Sequence, residues 1–449
     1  MQYEEAWSYL DSLQFFKIKL GLDSMAGFLD GVDHPQKGLK FIHVAGTNGK
    51  GSVSATLLTL LSDAGYRVGL YTSPHLSSVR ERFRINECYI SKSDFAEIAT
   101  RIKETLGERQ ITYFEFTTAL ALLWFAKEKV DLVILEVGLG GRLDATNVIT
   151  PLISVITNVS MDHEIHLGTT LSQIAAEKAG IIKPGIPVVS GVGPDDSREV
   201  VTRVCREKNA PLYLLGCDFC FEKNDKGSND FTGPAGQKIK DVRLAMKGVY
   251  QFDNAAIALA VLDVVQNLGF PIDWTRIKTA LLKVRWPGRL EYFCRDLTTG
   301  QVIDAGKEKK NGSGNKDLRR YLLDGAHNPA GVDCLKQSLE TEFDYKRLIC
   351  VWASMGDKDI RKTLHAIAPL CDVIIFTRPE SERSATPEQL LDILPEKLRH
   401  RVACCDTVKE ALAVAEKSSS CDDLVCVAGS LYLIGAARSL LLGDLVEEK

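Results

Sequence analysis

Short apolar runs alternate with longer, helix-like segments along the first half of the chain. Residues 41–44, 130–137 and 152–157 are rich in Val, Ile and Leu, which is typical of strands covered on both faces of a sheet. Shorter runs at 67–71 and 187–190 indicate two further strands. The segments between the runs have the apolar spacing of helices: 4–13, 24–29, 53–64, 114–127, 172–179 and 254–264. This alternation predicts an α/β fold with a mostly parallel sheet.

A second α/β unit follows in the last third of the chain. Its predicted core strands are the apolar runs 321–323, 348–352, 373–376 and 424–427. Trp286-Pro287-Gly288-Arg289 precedes this unit, and its Pro and Gly interrupt the periodic segments as a domain junction does. Since 449 residues are too many for one ordinary core, we predict two domains, residues 1–287 and residues 288–449.

Two polar segments lie between the predicted strands. Residues 221–240 are polar and rich in Gly, so we expect a small antiparallel region or loops there. Residues 295–320 are hydrophilic and include several consecutive charges. A solvated loop between two strands is the favoured interpretation, because isolated charge runs of this kind usually face water.

Composition narrows the class of protein. The chain is 45% hydrophobic and 25% charged, with a net charge of −4, which is typical of a globular protein and gives no reason to expect nucleic-acid binding. It has no secretory signal pattern and no apolar run of membrane-spanning length. Its twelve scattered cysteines favour reduced thiols and a cytoplasmic location. Cys217 and Cys220 form a lone CxxC, which we interpret as ordinary strand or turn residues.

The segment Gly46-Thr47-Asn48-Gly49-Lys50-Gly51-Ser52 carries the strongest chemical signal. It joins an apolar strand to a helix-like run, which is the setting of a phosphate-binding loop. Glycines let backbone N–H groups close on phosphate oxygens, and the helix N-terminus adds a positive dipole end. Lys50 would then reach the β- and γ-phosphates of a nucleotide, and Ser52 would help to hold Mg²⁺. The glycine spacing is shorter than in a standard Walker motif.

Other polar side chains are predicted at the carboxyl ends of strands, where open α/β sheets bind ligands. Ser73 follows the 67–71 strand, and Asn158, Asp162 and His163 follow the 152–157 strand. Glu136 lies inside a predicted buried strand, where an unpaired charge would be costly. A structural ion pair and a metal ligand are both compatible with its position.

Two further segments remain open to interpretation from the residues alone. The residues around Lys178 indicate a helix, and their composition alone favours a solvated lysine on its surface. Asp324-Gly325-Ala326-His327-Asn328-Pro329 follows a predicted strand, so it is either part of a site or a turn that caps the next helix.

Taken together, these segments resemble folylpolyglutamate synthase/dihydrofolate synthase, a family of the Mur ligase superfamily. The resemblance runs in order from about residue 38 to the Gly429-Ser430-Leu431-Tyr432-Leu433 segment. The matching motifs are 46–52, 73–75, 113–115, 136–147, 162–163, 177–181 and 324–329.

The resemblance implies a fold and a reaction. The first domain is expected to be a P-loop-type, mostly parallel ATPase domain, and the second a smaller Rossmann-like α/β domain carrying the glutamate ligase function. ATP would activate a folate carboxylate as an acyl phosphate, which the amine of L-glutamate then attacks. The acceptor would be dihydropteroate, tetrahydrofolate or both, and the protein is expected to act as a monomer on small molecules.

The resemblance also assigns roles to individual residues. Residues 46–52, Asn254, Arg289 and Asp324 would bind ATP, and His327 would face the reaction centre. Mg²⁺ would occupy two sites held by Ser73, Glu136, His163 and Lys178, the last as a carbamate. The pterin would contact a set of residues from two loops: Thr112, Tyr113, Phe114, Glu115, Leu143, Asp144 and Ala145. Tyr250 departs from the family pattern, which has His before Gln251.

Three other functions compete with this one. A P-loop ATPase or kinase would explain residues 46–52 but not the Asp324–Pro329 motif or Arg289. A nucleotide-binding regulator without activity is disfavoured by the presence of four residues together: Lys50, Glu136, His163 and Lys178. Another amino-acid ligase of the Mur superfamily is disfavoured by the two pterin-side segments. Residues 295–320 are longer than the family pattern and are predicted to be a surface insertion.

Overall fold

The computed structural model describes residues 1–13, 21–225, 227–304, 317–356, 358–380, 383–444 and 446. The centre of the hydrophilic 295–320 segment therefore lies outside the described residues, and so does the charged run 307–314. No helix in the described ranges is both long and apolar enough to cross a membrane.

An eight-stranded sheet forms the centre of the first half. Its strands in chain order are β1 (Phe41–Ala45), β2 (Val68–Tyr71), β3 (Phe83–Ile85), β4 (Cys88–Tyr89), β5 (Leu132–Glu136), β6 (Ile153–Ile156), β7 (Val188–Ser190) and β8 (Leu212–Leu214). Their spatial order is β4-β3-β2-β5-β1-β6-β7-β8. All pairs are parallel except β2 with β3 and β3 with β4, so the predicted mostly parallel sheet is confirmed.

Helices cover both faces of this sheet. They are α1 (Tyr3–Ser12), α2 (Asp23–Asp30), α3 (Lys50–Asp63), α4 (Lys92–Leu106), α5 (Tyr113–Lys127), α6 (Glu164–Leu167), α7 (Leu171–Ala179), α8 (Asp196–Glu207), α9 (Tyr250–Gln266) and α10 (Ile277–Leu281). β1 and β5 are buried along their whole length, which is why their sequences are nearly continuous apolar runs.

A three-stranded antiparallel sheet lies beside α9. It consists of β9 (Cys220–Lys223), β10 (Asn229–Thr232) and β11 (Lys238–Val242). The antiparallel region predicted for residues 221–240 is thereby confirmed. Phe231 of this sheet is buried in the same apolar cluster as α3 and α9.

A seven-stranded sheet forms the second half. Its strands are β12 (Glu291–Asp296), β13 (Val302–Asp304), β14 (Leu318–Asp324), β15 (Leu348–Trp352), β16 (Val373–Phe376), β17 (Val402–Cys404) and β18 (Leu424–Ala428), and their spatial order is β13-β12-β14-β18-β15-β16-β17. Its helices are α11 (Pro329–Thr341), α12 (Ile360–Ile367), α13 (Pro387–Ile393), α14 (Val408–Ser418) and α15 (Leu431–Leu442). An apolar cluster covers each face of this sheet.

The hydrophilic 295–320 segment is more regular than predicted at its start. Val302–Asp304 pairs antiparallel with β12, so a sheet-edge strand replaces part of the expected loop. Two β-branched residues, Val302 and Ile303, and the pairing with β12 explain why a short strand forms inside a hydrophilic segment. The division into domains at 287/288 stays a prediction.

Candidate functional site

The loop between β1 and α3 is held in place by the carboxyl end of β6. Asn48 donates its backbone N–H to Asn158 Oδ1 over 2.8 Å and accepts a 2.6 Å hydrogen bond from Thr157 Oγ1. Lys50 Nζ folds back onto the carbonyl oxygens of Gly46 and Thr47, each at 3.1 Å. The ammonium is therefore fixed inside the loop, where a phosphate would replace its weak carbonyl partners.

Three glycines of the loop are required by close approach. Gly46 has a φ of +153°, and a Cβ there would lie 1.8 Å from Thr157 Oγ1. At Gly49, with φ of +84°, the nearest atom would be Asn254 Oδ1 at 2.5 Å. The indole of Trp286 packs so closely on Gly51 that a Cβ would lie 2.6 Å from Nε1. At each of these three positions a neighbouring side chain lies too close to the backbone for a Cβ atom.

Glu136 and Lys50 form the buried electrostatic pair of the site. Val44 of β1 and Glu136 of β5 are register partners, so the carboxylate lies beside the start of the loop. Burial raises the pKa of Glu136 to about 7, against the opposing effect of Lys50. Burial likewise lowers the pKa of Lys50, partly offset by Glu136. Glu136 Oε2 is buried without a hydrogen-bond partner among the described residues.

A cavity of about 60 Å³ opens beside this pair. Ser73, Glu136 and Arg289 line it, together with Gly51 of the loop. The predicted metal ligands Ser73 and Glu136 and the predicted nucleotide contact Arg289 therefore meet at one space.

His163 and Lys178 belong to the neighbouring polar region rather than to the lining of that cavity. Lys178 is 3% exposed, which corrects the solvated-lysine interpretation drawn from its local composition. Burial, with Lys50 nearby, lowers the pKa of Lys178 to about 7. Across the described ranges, no group of three His, Cys, Asp or Glu side chains forms a metal-binding cluster.

Asp162 connects the two halves of the chain. Its carboxylate accepts a 2.8 Å hydrogen bond from Lys358 and a 3.0 Å hydrogen bond from Asn328. Burial opposes ionisation of Asp162, but His163 and Lys358 together hold its pKa below the usual value. Lys358 Nζ also lies 3.4 Å from His163 Nε2.

A direct bond joins the phosphate-loop segment to the Asp324–Pro329 motif. Asn328 Nδ2 donates to Asn48 Oδ1 over 3.1 Å, while Asn328 Oδ1 caps α11 by accepting from Gly331 N. The motif is thus both a helix cap and part of the site, so the two alternatives are not exclusive.

Asp324 is buried and His327 is half-buried within the same motif. His327 Nδ1 lies 2.8 Å from the Gly325 carbonyl oxygen, and burial lowers the pKa of this imidazole to about 4. Burial raises the pKa of Asp324, whose oxygens accept from the backbone N–H groups of Leu290 and Ala326. Arg289 lowers it in turn. Asp324 therefore fixes the backbone at Leu290, next to Arg289, and at Ala326, next to His327.

The predicted pterin residues lie at the N-terminus of α5 and in the loop after β5. Thr112 and Glu115 form a capping box, in which each side chain binds the backbone N–H of the other. The Phe114 ring covers Gly138, where a Cβ would lie 2.4 Å from Cζ. Asp144 accepts hydrogen bonds from Gly138, Leu139 and Thr146.

Glu115 and Asp144, the two protein carboxylates predicted to contact the pterin, therefore also stabilise local structure. Glu115 holds the start of α5, and Asp144, at 5% exposure, holds its own loop. Tyr113 has a buried hydroxyl without a partner among the described residues and lies under the Arg82 guanidinium at 5.2 Å. Leu143 is half-buried and Ala145 is buried beside them.

Asn254 lies on the first turns of α9, against the phosphate loop. Its Nδ2 donates to Gln251 Oε1 over 2.9 Å. Tyr250, which replaces the family His, is partly buried and packs against the apolar core of the second half, and desolvation raises its pKa well above the usual value. Where the family has His, Tyr250 therefore makes an apolar contact with the second half of the chain.

Sequence reasoning missed Lys358, Trp286 and Arg84 as site residues. Lys358 lies in the loop that follows the apolar 348–352 run, and a charged residue after a core strand is the signal that pointed to Asp162. The sequence indicates only that Trp286 belongs to the predicted domain junction. Arg84 lies between the buried Phe83 and Ile85 of β3, and this alternation of polar and apolar residues was the available signal.

The chain is similar to known ligases over nearly its whole length. The family model described as Mur ligase middle domain matches residues 44–262, and the model described as Mur ligase, glutamate ligase domain matches residues 311–431. A dihydrofolate synthase/folylpolyglutamate synthase of Bacillus subtilis is 31% identical over 457 residues, which cover 98% of this chain and 99% of the relative.

Solved structures agree with these matches. E. coli FolC in complex with DHPP and ADP superimposes with a TM-score of 0.84 at 30% identity, covering 98% of both chains. A bifunctional folylpolyglutamate synthase/dihydrofolate synthase with Mn, AMPPNP and L-glutamate bound has a TM-score of 0.84 at 30% identity, covering 98% of this chain and 99% of that one.

Proposed function

We propose, because the chain belongs to the folylpolyglutamate synthase/dihydrofolate synthase family of Mur ligases, that its site forms an acyl phosphate on a folate carboxylate. The protein is an ATP-dependent ligase that joins L-glutamate to a folate. The observation that supports the site assignment best is the Asn328–Asn48 hydrogen bond, which joins the Asp324–Pro329 motif to the phosphate-loop segment.

The phosphate loop performs the first half of the reaction. The substrate carboxylate attacks the γ-phosphorus of ATP, the bond to the β-phosphate oxygen breaks, and ADP leaves. Backbone N–H groups at the start of α3 and the Lys50 ammonium stabilise the charge on the transferred group. Asn254 and Arg289 hold the nucleotide from either side of the loop.

The second domain supplies the groups for the amide step. The amine of L-glutamate attacks the acyl carbon, a proton leaves the nitrogen, and phosphate departs. His327 is neutral at pH 7, because burial lowers its pKa to about 4. A neutral imidazole can accept that proton, provided it reaches the amine. Asp324 positions His327 and Arg289 by fixing the backbone next to each.

The buried carboxylate of Glu136 fits a divalent cation. Its Oε2 atom has no hydrogen-bond partner among the described residues, and hard cations such as Mg²⁺ prefer oxygen ligands. Ser73, Glu136 and His163 would hold Mg²⁺, which neutralises phosphate charge when bound.

Lys178 fits a carbamate. The side chain is buried, and its pKa of about 7 leaves a large share of neutral amine at physiological pH. A neutral amine can add CO₂, and the resulting carbamate offers anionic oxygens to a second Mg²⁺. The carbamate would also replace a cation that Lys50 disfavours.

The α5 N-terminus and the loop after β5 would hold the pterin. Phe114 offers a stacking face, and Thr112, Tyr113 and Glu115 surround it on α5. Leu143, Asp144 and Ala145 close the opposite side. A cytoplasmic, monomeric protein is the expectation that accompanies this proposal.

The test is ADP release dependent on L-glutamate, measured with dihydropteroate and with tetrahydrofolate as separate acceptors. Stimulation by dihydropteroate assigns dihydrofolate synthesis, stimulation by tetrahydrofolate assigns polyglutamylation, and stimulation by both assigns a bifunctional enzyme. If neither acceptor stimulates ADP release, the proposal is wrong.

A further inference from the structure

The cavity beside Glu136 extends to the hairpin of β3 and β4. Arg84 and Tyr89 of this hairpin line it together with Ser73, Glu136 and Arg289. Arg84 and Tyr89 are register partners, so their side chains leave the sheet on the same face. Neither Arg84 nor Tyr89 has a role in the proposed binding of ATP, Mg²⁺ or the pterin.

Strand register gives the separation between the two ends. Arg84 pairs with Leu70 of β2, and Leu70 pairs with Ile134 of β5, two residues before Glu136. Two strand spacings and two residues along a strand separate the Arg84 and Glu136 Cα atoms by roughly 12 Å. The two side chains occupy part of that distance, and the remainder suits a ligand of about one amino-acid length.

The Arg84 guanidinium has hydrogen-bond donors to spare. Nη2 donates to the Asn86 carbonyl oxygen over 3.3 Å, whereas Nε is buried without a partner among the described residues. The guanidinium lies 5.2 Å from the centre of the Tyr89 ring, which orients it. A half-buried, oriented guanidinium with a buried and unused Nε–H group is suited to a carboxylate, which accepts two parallel hydrogen bonds.

Neighbouring carboxylates do not satisfy this demand. Glu81 lines the same cavity, but its oxygens accept hydrogen bonds from the backbone N–H groups of Leu76, Ser77 and Ser78. Glu87 lies 3.7 Å from Arg84 Nη2 and is 81% exposed, so this pair is a weak surface contact.

We propose that Arg84 and Tyr89 form a carboxylate subsite that binds a glutamyl group next to the reaction centre. This inference rests on the proposed function, since it names how that site recognises its acidic substrate. The carboxylate belongs either to the incoming L-glutamate or to the glutamyl end of the folate acceptor. In both cases Arg84 sets the distance between the bound carboxylate and the reacting atoms.

The test compares steady-state kinetics of the wild type with those of Arg84→Met. ADP release is measured against L-glutamate and, separately, against tetrahydrofolate carrying one or three glutamyl residues. We expect the KM of one of these substrates to rise roughly 10- to 100-fold, the effect of losing a charge-assisted hydrogen bond. The kcat should stay within about twofold, because the contact exists in ground and transition states alike.

Each result has a defined meaning. A raised KM for L-glutamate assigns the subsite to the free amino acid, and a raised KM for the acceptor assigns it to the folate. Unchanged KM values for both overturn the inference. A wild type without glutamate-dependent ADP release would instead contradict the proposed function itself.

Two further variants, Arg84→Lys and Arg67→Met, are needed to interpret the kinetics of Arg84→Met. Arg84→Lys keeps the charge but not the planar fork, so it tests the subsite even if Arg84→Met does not fold; we expect a smaller rise in the same KM. Arg67→Met is the matched control, since Arg67 precedes β2 and its exposed guanidinium pairs with Glu128. A KM change in the control equal to that of Arg84→Met would also overturn the inference.

Discussion

Burial changes the acid–base properties of individual side chains in this ligase in ways that their sequence neighbours do not indicate. Lys178 lies in a helix with Glu177 at its side, yet Glu177 pairs outward with Arg142 while Lys178 points into the site. Burial and the nearby Lys50 lower the pKa of Lys178 to about 7. The reactivity of this amine is therefore a property of the fold.

The carbamate proposed for Lys178 would make activity depend on CO₂. In CO₂-depleted buffer we expect wild-type turnover to fall and added bicarbonate to restore it, with a larger response at pH 8 than at pH 6. The sign follows from the pKa, because the neutral amine that reacts with CO₂ becomes the main form only as the pH rises through about 7. Lys178→Met should lower kcat roughly 100-fold or more and show no bicarbonate response.

Lys183→Met is the control for that experiment. Lys183 is a partly buried lysine that donates to the Asn147 carbonyl oxygen outside the proposed metal site. It should keep both turnover and the bicarbonate response. A wild type insensitive to CO₂ depletion would disprove the carbamate.

His43 should make the protein less stable in acid. It is completely buried in β1 with Nε2 2.9 Å from Thr146 Oγ1, and burial lowers its pKa from 6.5 to about 3. The unfolded chain takes up a proton below pH 6.5 while the folded protein does not, so stability is lost as the pH falls from 6.5 toward 3. At pH 5.5 this loss is about 1.4 kcal/mol.

Thermal unfolding at pH 7.5 and pH 5.5 measures the effect. His43→Gln should show a smaller drop in Tm between the two pH values than the wild type does. His400→Gln, at an exposed position, should behave like the wild type. An equal drop in all three proteins would contradict the role of His43.

At the scale of elements, the β1–loop–α3 unit shows where glycine is needed for space and where for backbone conformation. Gly49 and Gly65 flank α3 and have φ values of +84° and +96°. A Cβ at Gly49 would meet Asn254 Oδ1 at 2.5 Å, whereas a Cβ at Gly65 has nothing within 4 Å. The two positions separate backbone strain from steric contact.

Gly49→Ala and Gly65→Ala form a matched pair. Both should destabilise the protein by about 1 kcal/mol, since alanine resists a positive φ. Only Gly49→Ala should also weaken nucleotide binding, because the loop must shift away from Asn254. Titration calorimetry with ADP and thermal unfolding distinguish the two effects; equal ADP affinities in both variants would refute the steric argument.

At the scale of the whole molecule, the site is completed by contacts between the two halves. Lys358 of the second half and Asp162 of the first are 11% and 10% exposed and lie 2.8 Å apart. Removing one partner of such a pair leaves a buried charge without compensation. The approach of His327 and Arg289 to the phosphate loop depends on the same interface.

Lys358→Met should therefore lower kcat roughly 10- to 100-fold, since the second half would no longer be held against the loop. The KM for ATP should change less, because the phosphate loop lies within the first half. Lys362→Met, one turn along at an exposed position of α12, should have wild-type kinetics. Wild-type kcat in Lys358→Met would show that the ion pair does not support closure.

Regular elements and the nucleotide loop could be predicted from local sequence. The apolar runs at 132–136 and 348–352 are buried strands because parallel sheets covered on both faces require continuous apolar residues. Glycine spacing and the adjacent helix revealed the phosphate loop. The edge strand Val302–Asp304 was missed, because cross-strand hydrogen bonds rather than apolar burial stabilise it.

Contiguous residues suffice to predict the α/β class, a phosphate-binding loop and the ligase family, because each is encoded in short motifs that occur in a fixed order. The lowered pKa of Lys178, the unused Nε–H donor of Arg84 and the Asp162–Lys358 ion pair depend on the tertiary structure. Burial and distance control these properties, and both are set by residues up to 196 positions apart along the chain.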